Sequence, residues 1–242
     1  MKDLRTSFLI VGGSAEARAL AARLPGCAVR LTEPDRTRRG WPVPVSLGPL
    51  SEDWLAAQGV AAVIEAAHPC DTATAFATQR ACAALGLPRL QLVRRGWRAG
   101  RGDRWVHLRH AAEAAQVIPR GATVLTAIGR ERLGGLRNLD ARVYARTLSR
   151  VTGGFPLRRG RFLPAEGPFT VAQEARLLRR LEIDWLIVHD AGGPGGWPKL
   201  AAARALGLPV ALLARPRRPG GPRVTTVNEA LDWAGQWLRL DA

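Results

Sequence analysis

The stretch Ser7-Phe-Leu-Ile-Val-Gly-Gly-Ser-Ala-Glu-Ala-Arg-Ala-Leu-Ala-Ala-Arg-Leu24 decides how the rest of the chain is read. Phe8 to Val11 is a short unbroken apolar run, the pattern of a strand covered on both faces in a parallel sheet. Gly12 and Gly13 permit a turn too tight for side chains, and Ser14 is a good N-cap for a helix behind it. Ala17, Leu20, Ala21 and Leu24 then recur at helical spacing and give that helix an apolar face. A strand, two glycines and a helix start bring backbone N–H groups and a positive dipole end to one point, which suits a phosphate. Gly12, Gly13, Ser14, Ala15, Glu16 and Ala17 are therefore the first candidate cofactor-binding residues. The pattern is not the full G-x-G-x-x-G fingerprint, so an ordinary βα turn accounts for it equally well when it is taken alone.

At 242 residues and 47% hydrophobic content, the chain can bury one large core or two small ones. It has no run of 18 apolar residues and no signal-peptide pattern at its start. Cys27, Cys70 and Cys82 have neither an even count nor metal spacing, so a reduced, cytoplasmic protein without a metal site is expected. The net charge of +16 implies attraction to anions: nucleic acid, an anionic membrane surface or a polycarboxylate. The 36 basic residues comprise 34 arginines and two lysines, Lys2 and Lys199, amid abundant Ala and Gly. Such a skew is also what genome composition and a solvated surface produce. Against it Lys199 stands out, because a compact ammonium does what a planar guanidinium cannot.

Along the chain, Ala28–Leu31 reads as a second strand, and Thr32 to Arg39 follows it where a Rossmann fold carries its ribose- or phosphate-recognition residues. Arg36, Arg38 and Arg39 are candidates for a cofactor 2′-phosphate, or equally a solvated loop. Val43–Leu47 is a short third strand, and Ser51 caps a short helix with Glu52 and Asp53 in its first turn. Val60–Ala66 is another apolar strand, ending in Ala67-His-Pro-Cys-Asp71, and the next helix runs to Ala84. Pro69 holds His68 extended at the strand's C-terminal end. Leu90–Val93 closes the first half, and the basic, Gly-rich stretch Arg94–Arg104 with Trp97 reads as a linker. The expected division is a nucleotide-binding domain over 1–97 and a second Rossmann-like domain over 98–242, with the last helix, 227–238, packing on either.

The second half repeats this grammar. Ala122–Thr126 is a strand leading to Ile128-Gly-Arg130, and Val143–Leu148 is a possible strand. Gly160–Gly167, rich in Arg, Pro and Gly, reads as a loop, and Thr170 with Gln173 forms a capping box for a helix to about Leu181. Trp185–Val188 is a strong strand followed by His189-Asp-Ala-Gly-Gly-Pro-Gly-Gly196, a helix over Lys199–Leu206 and a last strand over Val210–Leu213. Arg215–Pro222 reads as irregular. The breaks at Gly12–Ser14, His68–Pro69, Gly129–Arg130 and Asp190–Gly196 each follow a strand's C-terminal end, the ligand edge of open parallel sheets. Two such sheets imply an α/β protein with a cleft between domains. His68 and Asp190 are the candidate catalytic residues, Asp190 as proton donor or hydrogen-bond partner. Arg130 and Lys199 supply fixed positive charge, and the glycines after Asp190 allow backbone N–H groups close to an anion.

These residues resemble the precorrin-6A reductases of corrin (vitamin B12) biosynthesis. The resemblance spans Leu9–Arg18, Glu65–Pro69, Thr126–Arg130, Gly167–Phe169, Ala191–Gly193 with Lys199, Gly207-Leu-Pro-Val210 and Arg215-Pro216. It implies two Rossmann-like domains and an NADPH-dependent, cytoplasmic oxidoreductase that transfers hydride to one double bond of precorrin-6A, giving precorrin-6B. It further implies substrate contacts from His68, Gly129, Arg130, Gly167, Phe169, Gly192, Gly193 and Lys199. The chain departs from the family pattern in reading Glu65-Ala-Ala-His-Pro-Cys-Asp71 for Asp-Ala-Thr-His-Pro-Phe-Ala. Ala191 stands for the Ser of Ser-Gly-Gly and Ile128 for the Thr of Thr-Gly-Arg, and residues 32–39 replace a Ser-x-Ala-Gly-Arg segment.

The expected partner is a polycarboxylate tetrapyrrole, which arginines bind through bidentate hydrogen bonds, with no nucleic acid, no membrane and a monomer or weak oligomer. Two rivals follow from the same sequence. One is a basic nucleic-acid-binding protein, suggested by the charge and eight tryptophans but lacking any nucleic-acid motif. The other is a Rossmann reductase of another anionic substrate. A short-chain type needs Tyr-x-x-x-Lys, yet the one tyrosine, Tyr144, has Leu148 four residues on.

Overall fold

The computed structural model describes residues 8–34, 40–148 and 152–238. In chain order the first elements are β1 (Phe8–Val11), α1 (Ala15–Ala21), β2 (Cys27–Leu31), β3 (Val45–Leu47), α2 (Glu52–Ala56), β4 (Ala62–Glu65), α3 (Thr72–Ala84) and β5 (Arg89–Leu92). There follow β6 (Arg104–Leu108), α4 (Ala114–Val117), β7 (Thr123–Ala127), β8 (Arg142–Thr147), β9 (Gly160–Pro164), α5 (Val171–Arg180), β10 (Trp185–His189), α6 (Trp197–Ala205) and β11 (Pro209–Leu213). The chain closes with β12 (Arg223–Val224) and α7 (Val227–Leu238). Short 3-10 turns precede α4 and follow β7, over Ala111–Glu113 and Arg130–Leu136. Among the described residues no helix is long and apolar enough to cross a membrane.

The chain forms two units, one of residues 1–95 with 216–242, the other of residues 96–215. The first holds a parallel sheet in the order β3-β2-β1-β4-β5-β12. Numbered outward from β1, this is the 3-2-1-4-5-6 order of dinucleotide-binding folds, whose ligand crevice lies where the order reverses. Here that point is between β1 and β4. The β1 run is wholly buried because both faces are covered, the pattern of a doubly wound sheet. Phe8 and Ile10 pack with Ala17 and Leu20 of α1 and Ala230 and Ala234 of α7, while Leu9 and Val11 pack with Leu55 of α2 and Ala81 and Cys82 of α3.

The second unit repeats the order as β9-β8-β7-β10-β11-β6, again all parallel, with its reversal between β7 and β10. Its sixth position is filled by β6, the first strand of the unit in the chain, whereas the first unit's sixth position is filled by β12 from the far end. Val124, Ile187 and Ala211 pack with Ala114, Leu133 and Leu136; on the other face Leu125, Leu186 and Val188 pack with Leu178 of α5 and Leu200 and Ala203 of α6.

Three sequence expectations change. Residues 160–164 are a strand, not a loop: Gly160, at φ +141°, lies so close to the carbonyl of Val143 that no side chain fits, and the segment completes the edge beside β8. Phe162, stacked edge-on with Phe155 at 5.0 Å between ring centres, gives it an anchor. The second half does not run unbroken to residue 242. Residues 216–242 return to the first unit, where Val224 pairs with Leu92 and the apolar face of α7 covers β1. Residues 104–108, at the end of the expected linker and beyond it, form a strand, β6, that the sequence reading does not contain.

Candidate functional site

In the first unit the site grows from the end of β1. Gly12, at φ +114°, donates its N–H to the Arg30 carbonyl at 2.9 Å. A Cβ there would stand 2.5 Å from the backbone nitrogen of Ala67, so the turns after β1 and β4 touch backbone to backbone at the reversal point. Gly13 is exposed, and Ser14 caps α1 by accepting the Ala17 N–H at 3.0 Å. The first amides of a helix have no intrahelical acceptor, so this loop offers donors to an anion. Ala15 is exposed and Ala17 buried, while Glu16 is not free: Arg94 donates to it at 2.6 Å. The crevice thus fits a dinucleotide's pyrophosphate on backbone grounds. Arg36, Arg38 and Arg39 lie outside the described residues.

His68 is exposed on the turn beyond β4, and its Nδ1 accepts the Cys70 N–H at 3.2 Å, which leaves the proton of the neutral ring on Nε2. Below it sits a buried ion pair absent from the sequence analysis. Glu65 is fully buried; one carboxylate oxygen accepts the Ala67 N–H at 2.8 Å and the other accepts from Arg218 Nη2. Burial pushes the Glu65 carboxyl above its ordinary range, with the Arg218 charge pulling the other way.

In the second unit the reversal point is spanned by His189, whose Nε2 donates to the Ile128 carbonyl at 2.9 Å. Burial lowers its proton affinity, and its Nδ1 is buried and unpartnered. Gly129, at φ +84°, and Arg130 follow β7 on the same edge; Arg130 is exposed, its guanidinium 6.0 Å from the Phe162 ring centre. Asp190 follows β10, and its carboxylate is taken up by the chain itself. Oδ1 accepts the Trp97 N–H at 2.8 Å, Oδ2 lies 3.6 Å from Arg215 Nε, and that Nε donates to the Asp190 carbonyl at 2.7 Å. Asp190 therefore fastens both ends of its unit.

Trp97, placed by sequence in a linker, organises the glycine loop after Asp190. Its indole N–H donates to the Gly193 carbonyl at 2.9 Å, and its ring lies where a Cβ on Gly196 would go. Gly192 and Gly193 have φ of +67° and +72°, conformations that only glycine adopts readily. Beyond this loop, the half-buried Lys199 of α6 lies within electrostatic reach of a second unforeseen ion pair. Arg146, near the end of β8, donates to Glu174 of α5 at 2.5 Å, with side-chain exposures of 6% and 1%. Arg146 also lies 4.6 Å from the ring centre of Phe169, against which Gly167 packs. Burial lowers the proton affinity of Lys199, the Glu174 charge raises it and the Arg146 charge lowers it. Phe169 and Lys199 thus gather around one buried pair, whereas Arg130 stands apart from it, beside β9.

Two parallel sheets in dinucleotide-fold order, each covered by helices, define a doubly wound, Rossmann-type α/β protein. The chain belongs to the precorrin-6x reductase family: the family model described as Precorrin-6x reductase CbiJ/CobK matches residues 7–235. It is 34% identical to the precorrin-6A reductase of Rhodobacter capsulatus over 94% of this chain and 95% of that one. It is likewise 34% identical to the precorrin-6A reductase of Rhodococcus erythropolis, over 97% and 99%. Identity to the cobalt-precorrin-6A reductase of Priestia megaterium is 25%, over 93% and 96%. Among solved structures, CobK precorrin-6A reductase superposes with a TM-score of 0.87 at 32% identity, covering 95% of this chain and 96% of that one.

Proposed function

We propose that this chain reduces one double bond of precorrin-6A to precorrin-6B with NADPH in cobalamin biosynthesis, acting in the cytoplasm. The observation that carries this reading is the family match over residues 7–235 joined to a glycine turn at the reversal point of the first sheet. The relatives named for the metal-free substrate are the more similar ones, so precorrin-6A rather than its cobalt form is the substrate we assign. The alternatives, a nucleic-acid-binding protein and a reductase of another substrate, gain nothing from these matches.

Reduction of a carbon–carbon double bond needs a hydride at one carbon and a proton at the other. NADPH, when bound, supplies the hydride. The Gly12–Ala17 segment holds the cofactor's pyrophosphate on the amides between Gly12 and Ala17, whose own N–H groups serve Arg30 and the Ser14 cap, and on the α1 dipole. Arg130 and Lys199 take substrate carboxylates, Arg130 as a planar fork and Lys199 as a point charge. With Asp190 occupied by Trp97 and Arg215, His68 is the better placed of the two candidate proton donors: it is exposed, and as the imidazolium it gives up one proton and returns to the neutral ring whose Nδ1 accepts the Cys70 N–H. Phe169, Gly192 and Gly193 are further substrate contacts on this reading, all in the second unit.

Replacing Lys199 with Ala tests the division of labour. The KM for precorrin-6A is expected to rise roughly 10- to 100-fold, the loss of one charge-assisted contact, while the NADPH Kd stays within about twofold. Steady-state kinetics beside a direct NADPH titration separates the two. Equal losses in both would contradict the assignment.

A further inference from the structure

The segment that returns to the first unit carries Arg218, whose side chain is 3% exposed and which uses its whole guanidinium fork. Nη2 donates to the Glu65 carboxylate, and Nε donates to Gln91 Oε1 at 3.4 Å. Nη1 is shared among three carbonyls of a single turn: His68 at 3.3 Å, Pro69 at 3.2 Å and Asp71 at 3.4 Å. Gln91 is itself fully buried and donates to the Pro219 carbonyl at 3.0 Å, so the segment around Arg218 is anchored independently of the ion pair. The turn that Arg218 grips has Ala67 at its start, in backbone contact with Gly12, and Asp71 at its end, capping α3 through the Thr74 N–H at 3.0 Å.

The geometry points to Arg218 and Glu65 as positioning residues of the reduction. They fix the 66–71 turn as the wall of the Gly12–Gly13 crevice and hold the His68 backbone, without touching cofactor or substrate. Carbonyls with three different directions and one carboxylate are met by a planar five-donor group; an ammonium cannot meet them together. The chain thereby places a determinant of cofactor affinity 153 residues beyond Glu65, and farther still along the sequence from the glycine turn. This rests on the cofactor reading above.

The test compares Arg218→Lys and the milder Gln91→Met with the unaltered full-length chain, measuring the NADPH Kd by titration and the precorrin-6A KM at saturating NADPH. Arg218→Lys is expected to weaken NADPH binding on the order of 10- to 100-fold with the precorrin-6A KM within twofold. Gln91→Met keeps both ions and removes one neutral partner, so a loss of roughly threefold follows. In Arg218→Lys, amide hydrogen exchange should quicken in peptides covering 8–16 and 65–74 and stay unchanged in β7 and β10. Folded variants with wild-type NADPH affinity and unchanged exchange would overturn the proposal alone. An unaltered chain that binds neither NADPH nor NADH would overturn the cofactor reading and this proposal with it.

Discussion

Gly12→Ala abolishes measurable NADPH binding and destabilises the first unit, while Gly13→Ala leaves the unit folded. The two glycines are neighbours, but their surroundings differ. At Gly12 the backbone has φ +114°, and the added methyl would meet the Ala67 nitrogen at 2.5 Å and the Ala66 carbonyl carbon at 2.9 Å. Neither is a flexible side-chain end that can swing aside. The strained conformation alone costs on the order of 1–3 kcal/mol for a residue with a Cβ. Moving the turn after β4 away would also pull on Glu65 and His68. At Gly13 the nearest atom is the Cδ2 of Leu31 at 3.5 Å, an ordinary contact. A methyl there stands in the crevice itself, so NADPH affinity falls with little change in stability. Denaturant titration beside NADPH titration checks both, and equal behaviour of the two variants would remove the Gly12–Ala67 contact from the account.

The second large effect is expected at Glu174. Removing its carboxylate with Glu174→Ala leaves Arg146 buried without its counter-charge, which costs about 3–5 kcal/mol. The double variant Arg146→Met with Glu174→Leu, which takes out both charges and fills the space, should recover most of that loss. Glu174→Gln is gentler and more informative for function. It removes the negative charge that raises the proton affinity of Lys199, leaving burial and Arg146, which both lower it. The alkaline limb of the precorrin-6A KM should therefore move to lower pH, because Lys199 loses its proton earlier. An unchanged pH profile in a folded Glu174→Gln chain would separate Lys199 from substrate binding.

What could be read from the sequence follows physical range. β1, its glycine turn and α1 are legible because strand burial, turn and cap all lie within 18 residues and agree with one another. The strands β4, β7 and β10 are legible for the same reason, as continuous apolar runs of doubly covered strands. β9 is hidden because Gly160, Arg161 and Pro164 have no strand signal of their own, and the neighbouring β8 supplies the ladder. The face of α7 shows in Leu231 and Ala234, but nothing local says which sheet it covers. The two buried ion pairs are hidden most deeply. Arg218 reads as one arginine among 34, and its burial becomes visible only when a partner 153 residues away is placed beside it. Asp190 illustrates the converse: its position at a strand end is legible, while its capture by Trp97 and Arg215 belongs to the folded chain.

The central claim is tested most directly by anaerobic oxidation of NADPH by the purified chain, followed by loss of nicotinamide absorbance with and without precorrin-6A. The account predicts oxidation that depends on precorrin-6A, consumes one NADPH per precorrin-6B formed, and runs faster with NADPH than with NADH. Tight NADPH binding without any precorrin-6A-dependent oxidation would contradict it.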